Sequence, residues 1–320
     1  MRIIDMSGYI PTQGMSVEEL GVQLGFKPAE AKMYRRVHGF SSVSFAHQET
    51  IGELLAKVVE PLRDRYLEEW KHVTHVIFCH TILNVSPIGD KNWSDNLRPL
   101  FAPGTNFISF TMTHCASSIV ALGFAQKLLS NGARRVLILC GEKSFAPTVT
   151  CIAGTSLLGE ASVAVLLAAE GKGVRVGQVE ILVDGRFSVM DREADAAMMR
   201  LFQNCYSHNL TVAMARCVTK NSISFAEVKR VLPHNVNTSS WEKYCQIQGL
   251  PKEKIYLSNV ARIGHCFGAD VYLNMLSAVR DGAIQDGDFI MLVSAGLGAT
   301  IAGVVCECAE LDRFVGIVGS

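Results

Sequence analysis

The sequence has no excess of charge, since its 320 residues include 30 basic and 30 acidic side chains. Like charges never form a run of more than a few residues, so the basic surface that attracts nucleic acids or acidic membranes is missing. The longest apolar runs, such as ASVAVLLAA at 161–169, are far shorter than the roughly 20 residues that cross a bilayer. We therefore expect no nucleic-acid partner and no membrane span.

Metal and redox motifs are also missing. The 10 cysteines are scattered without a CxxC pair, and the histidines lack the i, i+4 or carboxylate spacing that is typical of a metal site. The first residues, MRIIDMSGYIPTQGMSVEEL, lack the charged start and apolar core of a signal peptide. The sequence therefore predicts a cytoplasmic protein with reduced thiols, no metal and no cofactor.

What the sequence does contain is a strand-and-helix pattern with enough apolar residues, 49% of the total, for a large core. Strands such as VTHVIFCH at 73–80 and RRVLILCG at 134–141 are apolar throughout, which is typical of sheets covered by helices on both faces. The pattern predicts an α/β protein. Residues 84–106 show no periodicity, and we expect an ordered functional or interface loop there.

This pattern occurs twice. NFISFTMTHC precedes an apolar helix, the breaker SNGARR and a strand, and KIYLSNVARIGHC precedes ADVYLNMLSAVRDG and another strand. The turn-rich stretch EGKGVRVGQ predicts two similar α/β halves, at 1–170 and 171–320. Helices at 116–129 and 269–280 are apolar on nearly every side, which predicts a buried helical layer between two sheets.

Cys115 lies where a strand end meets the first of these helices. Amides and the dipole at a helix start stabilise a thiolate, which suits a nucleophile. Free cysteine is equally typical of a buried core. Two histidines favour the nucleophile, because His234 ends a strand in VLPHNVN and His265 precedes the second buried helix as Cys115 precedes the first. Similar halves would bring the thiol and both imidazoles together at the centre.

Four blocks of the sequence resemble beta-ketoacyl-ACP synthase III, a type of the thiolase superfamily. THCASS resembles the nucleophile turn, LLGEASVAVLLAAE the GDGA-type strand, VLPHNVN the PHQAN motif, and GAIQDGDFIMLVSAGLGATIAG the C-terminal strand pair. The resemblance implies a thiolase-like fold, in which two duplicated α/β halves form a five-layer αβαβα sandwich. It also implies a homodimer, and the apolar strand NFISFTM is a candidate sheet edge.

The resemblance implies roles for individual residues. Cys115 would accept an acyl group as a thioester, and His234 matches the histidine of the PHQAN motif. Asn237 would bind the pantetheine arm of coenzyme A or of an acyl carrier protein. The backbone amides of Cys115 and Gly298 would form an oxyanion hole for the tetrahedral intermediate, a role that also requires a tight turn at Gly298.

Two further assignments have an alternative. Arg35 or Arg36 in MYRRVHGF would contact a nucleotide or phosphate, although a solvated surface charge fits equally well. His114, beside the nucleophile, would line the substrate pocket or simply pack against its neighbours.

The chain departs from the family pattern at two positions. His265 replaces the asparagine of a GNTSAA-like motif, which gives a Cys-His-His set more like that of elongating ketoacyl synthases. Ser239 occupies the position where the family often has an arginine that docks the carrier protein. The usual carrier-protein partner is therefore less strongly indicated.

These features predict a Cys-dependent acyltransferase whose donor is an acyl-CoA or acyl-carrier-protein thioester. The acyl-Cys115 intermediate would react by decarboxylative Claisen condensation, in polyketide or other secondary metabolism, with His234 and His265 holding the thioester oxygen. An alternative is transfer to a hydroxyl or amine without decarboxylation, with a histidine as base. A further alternative is a non-catalytic partner subunit of a heterodimeric synthase.

Overall fold

The computed structural model describes residues 1–81, 93–143, 150–187 and 196–318. The strands are β1 (Arg2–Tyr9), β2 (Gly14–Ser16), β3 (Ser42–Ser44), β4 (Val73–Cys79), β5 (Asn106–Phe110), β6 (Arg135–Gly141), β7 (Cys151–Ile152), β8 (Ser156–Leu157), β9 (Ser162–Ala168), β10 (Val174–Val176), β11 (Glu180–Val183), β12 (Val228–Pro233), β13 (Phe289–Gly296), β14 (Thr300–Glu307) and β15 (Gly316–Val318). The helices are α1 (Val17–Leu24), α2 (Pro28–Arg36), α3 (Ile51–Arg65), α4 (Leu67–Trp70), α5 (Ser117–Ser130), α6 (Ala196–Lys220), α7 (Thr238–Gln248), α8 (Val260–Ile263) and α9 (Asp270–Arg280). Of the aperiodic stretch 84–106, residues 84–92 lie outside the described residues.

Local sequence fixes the starts of two helices. The Ser16 hydroxyl accepts a 3.2 Å hydrogen bond from the amide of Glu19 at the start of α1, and Thr50 does the same for Glu53 at the start of α3. In both cases the glutamate side chain accepts a bond from the backbone amide of the capping residue. These are capping boxes, and their S/T-x-x-E spacing is readable from the sequence.

The sheet of the first half has the order β5-β4-β6-β9-β1. In it β4 is parallel to β5 and β6, whereas β9 is antiparallel to β6 and β1. In the second half β12 is parallel to β13, and β14 is antiparallel to β13 and β11. The short strand β10 pairs with both β1 and β14. The described strands of the two halves are therefore joined in one hydrogen-bonded sheet, where the sequence predicted two.

The layers follow from which residues each helix buries. Leu55 and Val58 of α3 pack on the outer face of the first-half sheet. Ile119 of α5 and Tyr272 of α9 lie in the central core with residues of both half-sheets. Helices α6 and α7 cover the outer face of the second-half sheet, where Trp241 is buried. This order confirms the predicted five-layer αβαβα arrangement.

Both central helices are apolar on nearly every side because a half-sheet faces each side. A 3₁₀ turn precedes each of them, His114–Ala116 before α5 and Phe267–Ala269 before α9. The two turns begin with matching left-handed residues, His114 at φ 50 and Phe267 at φ 55. Cys115 and Gly268 are the middle residues of these two turns, so Gly268 occupies in the second half the position of Cys115 in the first. His265 precedes Gly268 by three residues, which corrects the sequence-based alignment of His265 with Cys115.

The boundary predicted at residue 170 remains a prediction. Strand β10, just after it, bonds to strands of both halves. The region around the boundary therefore joins the halves through backbone hydrogen bonds.

Candidate active site

Cys115 and His265 meet at the centre of the protein. Cys115 lies on the 3₁₀ turn between β5 and α5, and its side chain is 8% exposed. Its Sγ atom is 3.1 Å from Nε2 of His265, which is buried. The two residues are 150 positions apart in the sequence, so the packing of the two halves creates the contact.

Strand β13 holds the backbone of the turn that carries Cys115. The hydroxyl of Ser294 donates a 2.8 Å hydrogen bond to the carbonyl oxygen of Cys115. A Cβ atom at Gly296 would lie 2.2 Å from the carbonyl oxygen of Thr113 and 3.0 Å from Cβ of His114. Only glycine permits so close an approach. The turn that presents Cys115 is therefore braced by the end of β13.

Asp270 completes a line of three side chains. Its carboxylate accepts a 2.5 Å hydrogen bond from Nδ1 of His265, and both side chains are almost fully buried. Burial alone would lower the pKa of His265, but the adjacent Cys115 sulfur and Asp270 carboxylate together raise that pKa to about 10. The geometry thus favours the imidazolium form of His265 beside the Cys115 sulfur and the Asp270 carboxyl group. Asp270 is not among the residues predicted from the sequence, although a lone acid in the first turn of an apolar buried helix was a signal.

His234 lies beside this line in a different protonation state. Its ring centroid is 5.9 Å from that of His265, and its backbone amide donates to the carbonyl oxygen of Val293. Burial, and then the nearby His265, lower the pKa of His234 to about 3, so its imidazole is neutral near pH 7. Among the described residues its Nδ1 atom has no hydrogen-bond partner.

The hydroxyl of Tyr206 lies 3.5 Å from Nε2 of His234. Burial raises the pKa of Tyr206, so this phenol remains protonated and polar next to the imidazole. Tyr206 comes from α6, and nothing in the local sequence marks it. The structure therefore adds Tyr206 to the residues that surround the site.

Asn237 is fully engaged in local structure. Its Oδ1 accepts a 2.6 Å hydrogen bond from the amide of Ser240 and so caps α7. Its Nδ2 donates to the carbonyl oxygen of Thr155 at 2.9 Å. Next to it, the hydroxyl of Ser239 lies 3.0 Å from Nδ1 of His38. The contact between Asn237 and a pantetheine arm remains a prediction.

The remaining predicted residues lie around the site or away from it. Gly298 lies in the turn between β13 and β14 with φ 96, a value that favours glycine. His114 is half-buried, and burial lowers its pKa. Arg36 is exposed at the end of α2, with no contact to the Cys115 line among the described residues, and Arg35 pairs with Glu18 on the surface. The role of Gly298 in the oxyanion hole and the roles of His114 and Arg36 in substrate binding remain predictions.

Within residues 1–81, 93–143, 150–187 and 196–318, no group of three or more His, Cys, Asp or Glu side chains is placed to hold a metal ion. In the same part of the chain, no helix combines the length and the hydropathy of a membrane crossing.

The five-layer αβαβα order of the described elements, with Cys115 at the start of a buried central helix, fits the thiolase-like fold expected from the sequence. Residues 218–308 match the family model described as the C-terminal part of 3-oxoacyl-[acyl-carrier-protein] synthase III. The beta-ketoacyl-[acyl-carrier-protein] synthase III of Erythrobacter litoralis is 28% identical over 207 residues, which are 58% of this chain and 63% of that protein. The chain thus spans about three fifths of the length of the curated relatives that it matches.

Solved structures establish the fold. The acyltransferase ChlB3 superposes with a TM-score of 0.82 at 16% identity, and the match covers 96% of this chain and 97% of the ChlB3 chain. The synthase III of Thermus thermophilus superposes with a TM-score of 0.76 at 22% identity, and the match covers 95% of this chain and 98% of the Thermus protein. These matches confirm the resemblance to beta-ketoacyl-ACP synthase III and the thiolase-like fold expected from the sequence.

Proposed function

We propose that the protein is an acyltransferase that carries an acyl group as a thioester on Cys115 and passes it to the hydroxyl or amine of a second substrate. The observation that supports this proposal best is the line of Cys115, His265 and Asp270, with contacts of 3.1 and 2.5 Å. A carboxylate that orients an imidazole beside a nucleophile is the arrangement of acyl-transferring triads.

In the first step the Cys115 thiolate attacks the carbonyl carbon of an acyl-CoA or acyl-carrier-protein thioester. The carbonyl electrons move to oxygen, and the amides of Cys115 and Gly298 are the proposed donors to this oxyanion. When the carbonyl re-forms, the bond to the donor sulfur breaks, and the departing thiolate takes the proton from Nε2 of His265. Asp270 holds the other ring nitrogen throughout, so the imidazole keeps its orientation.

The second step needs a neutral His265, and acylation supplies it. Once Cys115 carries an acyl group its sulfur has no charge, so one of the two groups that raise the pKa of His265 is lost. The neutral Nε2 then takes the proton from the attacking hydroxyl or amine. The acceptor forms an ester or amide, Cys115 leaves as a thiolate, and the imidazolium pairs with it again.

The preference for a hydroxyl or amine acceptor follows from the role of Asp270. A base is needed to deprotonate such an acceptor, and a carboxylate-held imidazole is well suited to be that base. Decarboxylation of a malonyl thioester generates its carbon nucleophile without a base and needs hydrogen-bond donors to the enolate oxygen. The structural similarity to ChlB3, which is named an acyltransferase, agrees with this preference.

Decarboxylative condensation is the second candidate, and His234 favours it. Its ring lies 5.9 Å from that of His265, so the two imidazoles are close enough to converge on one thioester oxygen. Relatives named synthase III agree with this reading. A non-catalytic partner subunit is disfavoured, because the thiol, both imidazoles and a carboxylate are assembled. For either reaction we place the pathway in secondary metabolism, as the sequence suggested.

We further propose that the protein is a homodimer joined along β5. This strand pairs with β4 on one side, and no strand among the described residues pairs with its other edge. The ring of Phe110 stacks at 6.1 Å on Phe124, which remains 37% exposed. Sedimentation should give the mass of two chains, and Phe124→Lys should reduce it to one, whereas Leu67→Lys at another exposed position should not. A single-chain mass for the unaltered protein would refute the dimer.

Mass spectrometry of the intact protein tests the covalent step. After incubation with a panel of acyl-CoA thioesters, we expect the mass of one acyl group on the wild type and none on Cys115→Ala. Adding alcohols and amines should then discharge the adduct to an ester or amide. The reaction with malonyl-CoA labelled in its free carboxyl group separates the candidates: labelled carbon dioxide and a carbon–carbon product would favour condensation. No adduct with any thioester would refute the covalent mechanism.

A further inference from the structure

We infer that Asn235 is a positioning residue that holds the Asp270 carboxylate against His265. The inference rests on the proposed chemistry of Cys115 and adds a residue that acts through Asp270. Asn235 directly follows His234 in VLPHNVN. The end of β12 thus supplies His234 and, in the next residue, Asn235, which supports Asp270 on the far side of the His265 ring.

Asn235 bonds to both oxygens of Asp270. Its backbone amide donates to Oδ2 at 2.6 Å, and its side-chain Nδ2 donates to Oδ1 at 3.1 Å. The amide of Cys266 also donates to Oδ1, at 2.7 Å. With Nδ1 of His265 on Oδ2, each carboxylate oxygen accepts two hydrogen bonds. A carboxylate that is fully buried needs such donors to remain charged.

A second layer orients the amide of Asn235. Nδ2 of Asn274 donates to Oδ1 of Asn235 at 2.8 Å and to the carbonyl oxygen of Pro233 at 2.7 Å. Because Oδ1 of Asn235 accepts this bond, its Nδ2 must face Asp270. Nδ2 of Asn259 in turn donates to Oδ1 of Asn274 at 2.9 Å. The network runs from the end of β12 through α9 to the residue just before α8.

The titratable groups near Asp270 are few. His265 and Cys266 belong to its own segment. Cys115, on the turn before α5, and His234, after β12, lie beyond the His265 ring. Asn235 also contacts Asp270 but has no titratable group. Changing it therefore alters the support of Asp270 without removing a proton carrier from the proposed reaction.

Two substitutions of Asn235 separate positioning from mere packing. Asn235→Leu removes the side-chain donor at every pH. Asn235→Asp keeps the shape and the oxygen that Asn274 needs, but it places a second carboxyl group against Asp270. Two adjacent carboxylates share a proton at low pH and repel each other once it is lost. The protonated Asn235→Asp side chain therefore restores the donor, and the ionised one does not. Asn221→Leu, at an asparagine that bonds the backbone of Gln178 and Cys217 outside this network, is the matched control.

The readout is the rate at which iodoacetamide alkylates Cys115, measured from about pH 5.5 to about pH 8. This reaction needs the thiolate and no acyl donor, so it remains informative even if no thioester acylates Cys115 and the proposed function fails. We expect Asn235→Leu to react at least about tenfold more slowly than the wild type near pH 7, since a hydrogen bond to a charged group is lost. The rate of Asn235→Asp should exceed that of Asn235→Leu at acid pH and fall toward it as the pH rises, while Asn221→Leu follows the wild type.

Three results would overturn the inference. They are an Asn235→Leu rate close to that of the wild type, an equal slowing in Asn221→Leu, and an Asn235→Asp profile that never rises above that of Asn235→Leu. Circular dichroism of each variant shows whether it folds. If Asn235→Leu does not fold, the isosteric Asn235→Asp carries the test, because its pH profile relative to the wild type must then diverge as the pH rises.

Discussion

Asp270 accepts a 2.5 Å hydrogen bond from Nδ1 of His265, five residues earlier in the chain. The 3₁₀ turn Phe267–Ala269 lies between them and turns the first residue of α9 back toward the imidazole. Asp270 therefore lies at Nδ1 of the His265 ring, and Cys115 lies at Nε2 on the opposite side. This relationship makes specific predictions about rate, ionisation and stability.

Asp270→Asn should slow acyl transfer strongly. The substitution removes the charge that orients His265 and stabilises its imidazolium. Loss of the acid from such a triad costs roughly 10⁴ in rate, so we expect single-turnover transfer to fall by at least about 100-fold. Stopped-flow or quenched-flow mass spectrometry measures this rate. Asp281→Asn, at the end of the same helix where Asp281 bonds Tyr256, is the control and should leave the rate unchanged.

Cys115→Ala should lower the pKa of His265. That pKa is raised to about 10, with the Cys115 sulfur as the largest raising influence and Asp270 as the next. Removing the sulfur mimics its neutral, acylated form. Imidazole NMR should show His265 titrating near pH 10 in the wild type and at clearly lower pH in Cys115→Ala. Equal midpoints would refute the proposed switch of His265 from acid to base.

His234 should make the fold sensitive to acid. In the folded chain its pKa is lowered to about 3, whereas an unfolded histidine binds a proton near its ordinary value. The unfolded chain therefore binds more protons between these two pKa values, and stability falls as the pH drops through that window. Relative to His234→Gln, the wild type should lose up to about 1.4 kcal/mol of unfolding free energy per pH unit.

Urea denaturation of both proteins at about pH 6, 5 and 4 measures this difference. His208→Gln, at an exposed histidine, serves as the control and should track the wild type. Parallel pH dependence in the wild type and His234→Gln would show that His234 does not carry the effect.

Gly296→Ala should destabilise the nucleophile turn. The new Cβ would lie 2.2 Å from the carbonyl oxygen of Thr113, a backbone atom that cannot move aside alone. Overpacking of this kind costs about 1–3 kcal/mol, and the shifted turn should also slow acylation of Cys115. Calorimetry gives the stability and intact mass gives the acylation rate. Gly185→Ala meets no atom within 4 Å, so an equal loss there would remove the steric explanation.

Much of the fold and part of the site were predictable from local sequence. Apolar strands, two apolar helices and repeated breakers predicted the α/β class and the layered halves, because burial on both faces requires apolar residues at every position. Cys115, His234 and His265 stood out because each lies where a strand or turn meets a buried helix or a loop. The turn at Gly298 was equally readable, since its left-handed φ favours glycine.

The tertiary structure decided what depends on distance through space. Ser294 reaches Cys115 across 179 residues, and Asn235 reaches Asp270 across 35, contacts that no local pattern encodes. Strand β10 joins the two half-sheets through a few backbone bonds, which its sequence does not reveal. The sequence alone predicted which segments are buried and singled out Cys115 as the candidate nucleophile. Only the packing of one half on the other determined that the imidazole of His265 meets the sulfur of Cys115, and only the turn before α9 determined that the Asp270 carboxylate supports that imidazole. Hydrogen bonds and charge interactions depend on distances that the fold sets.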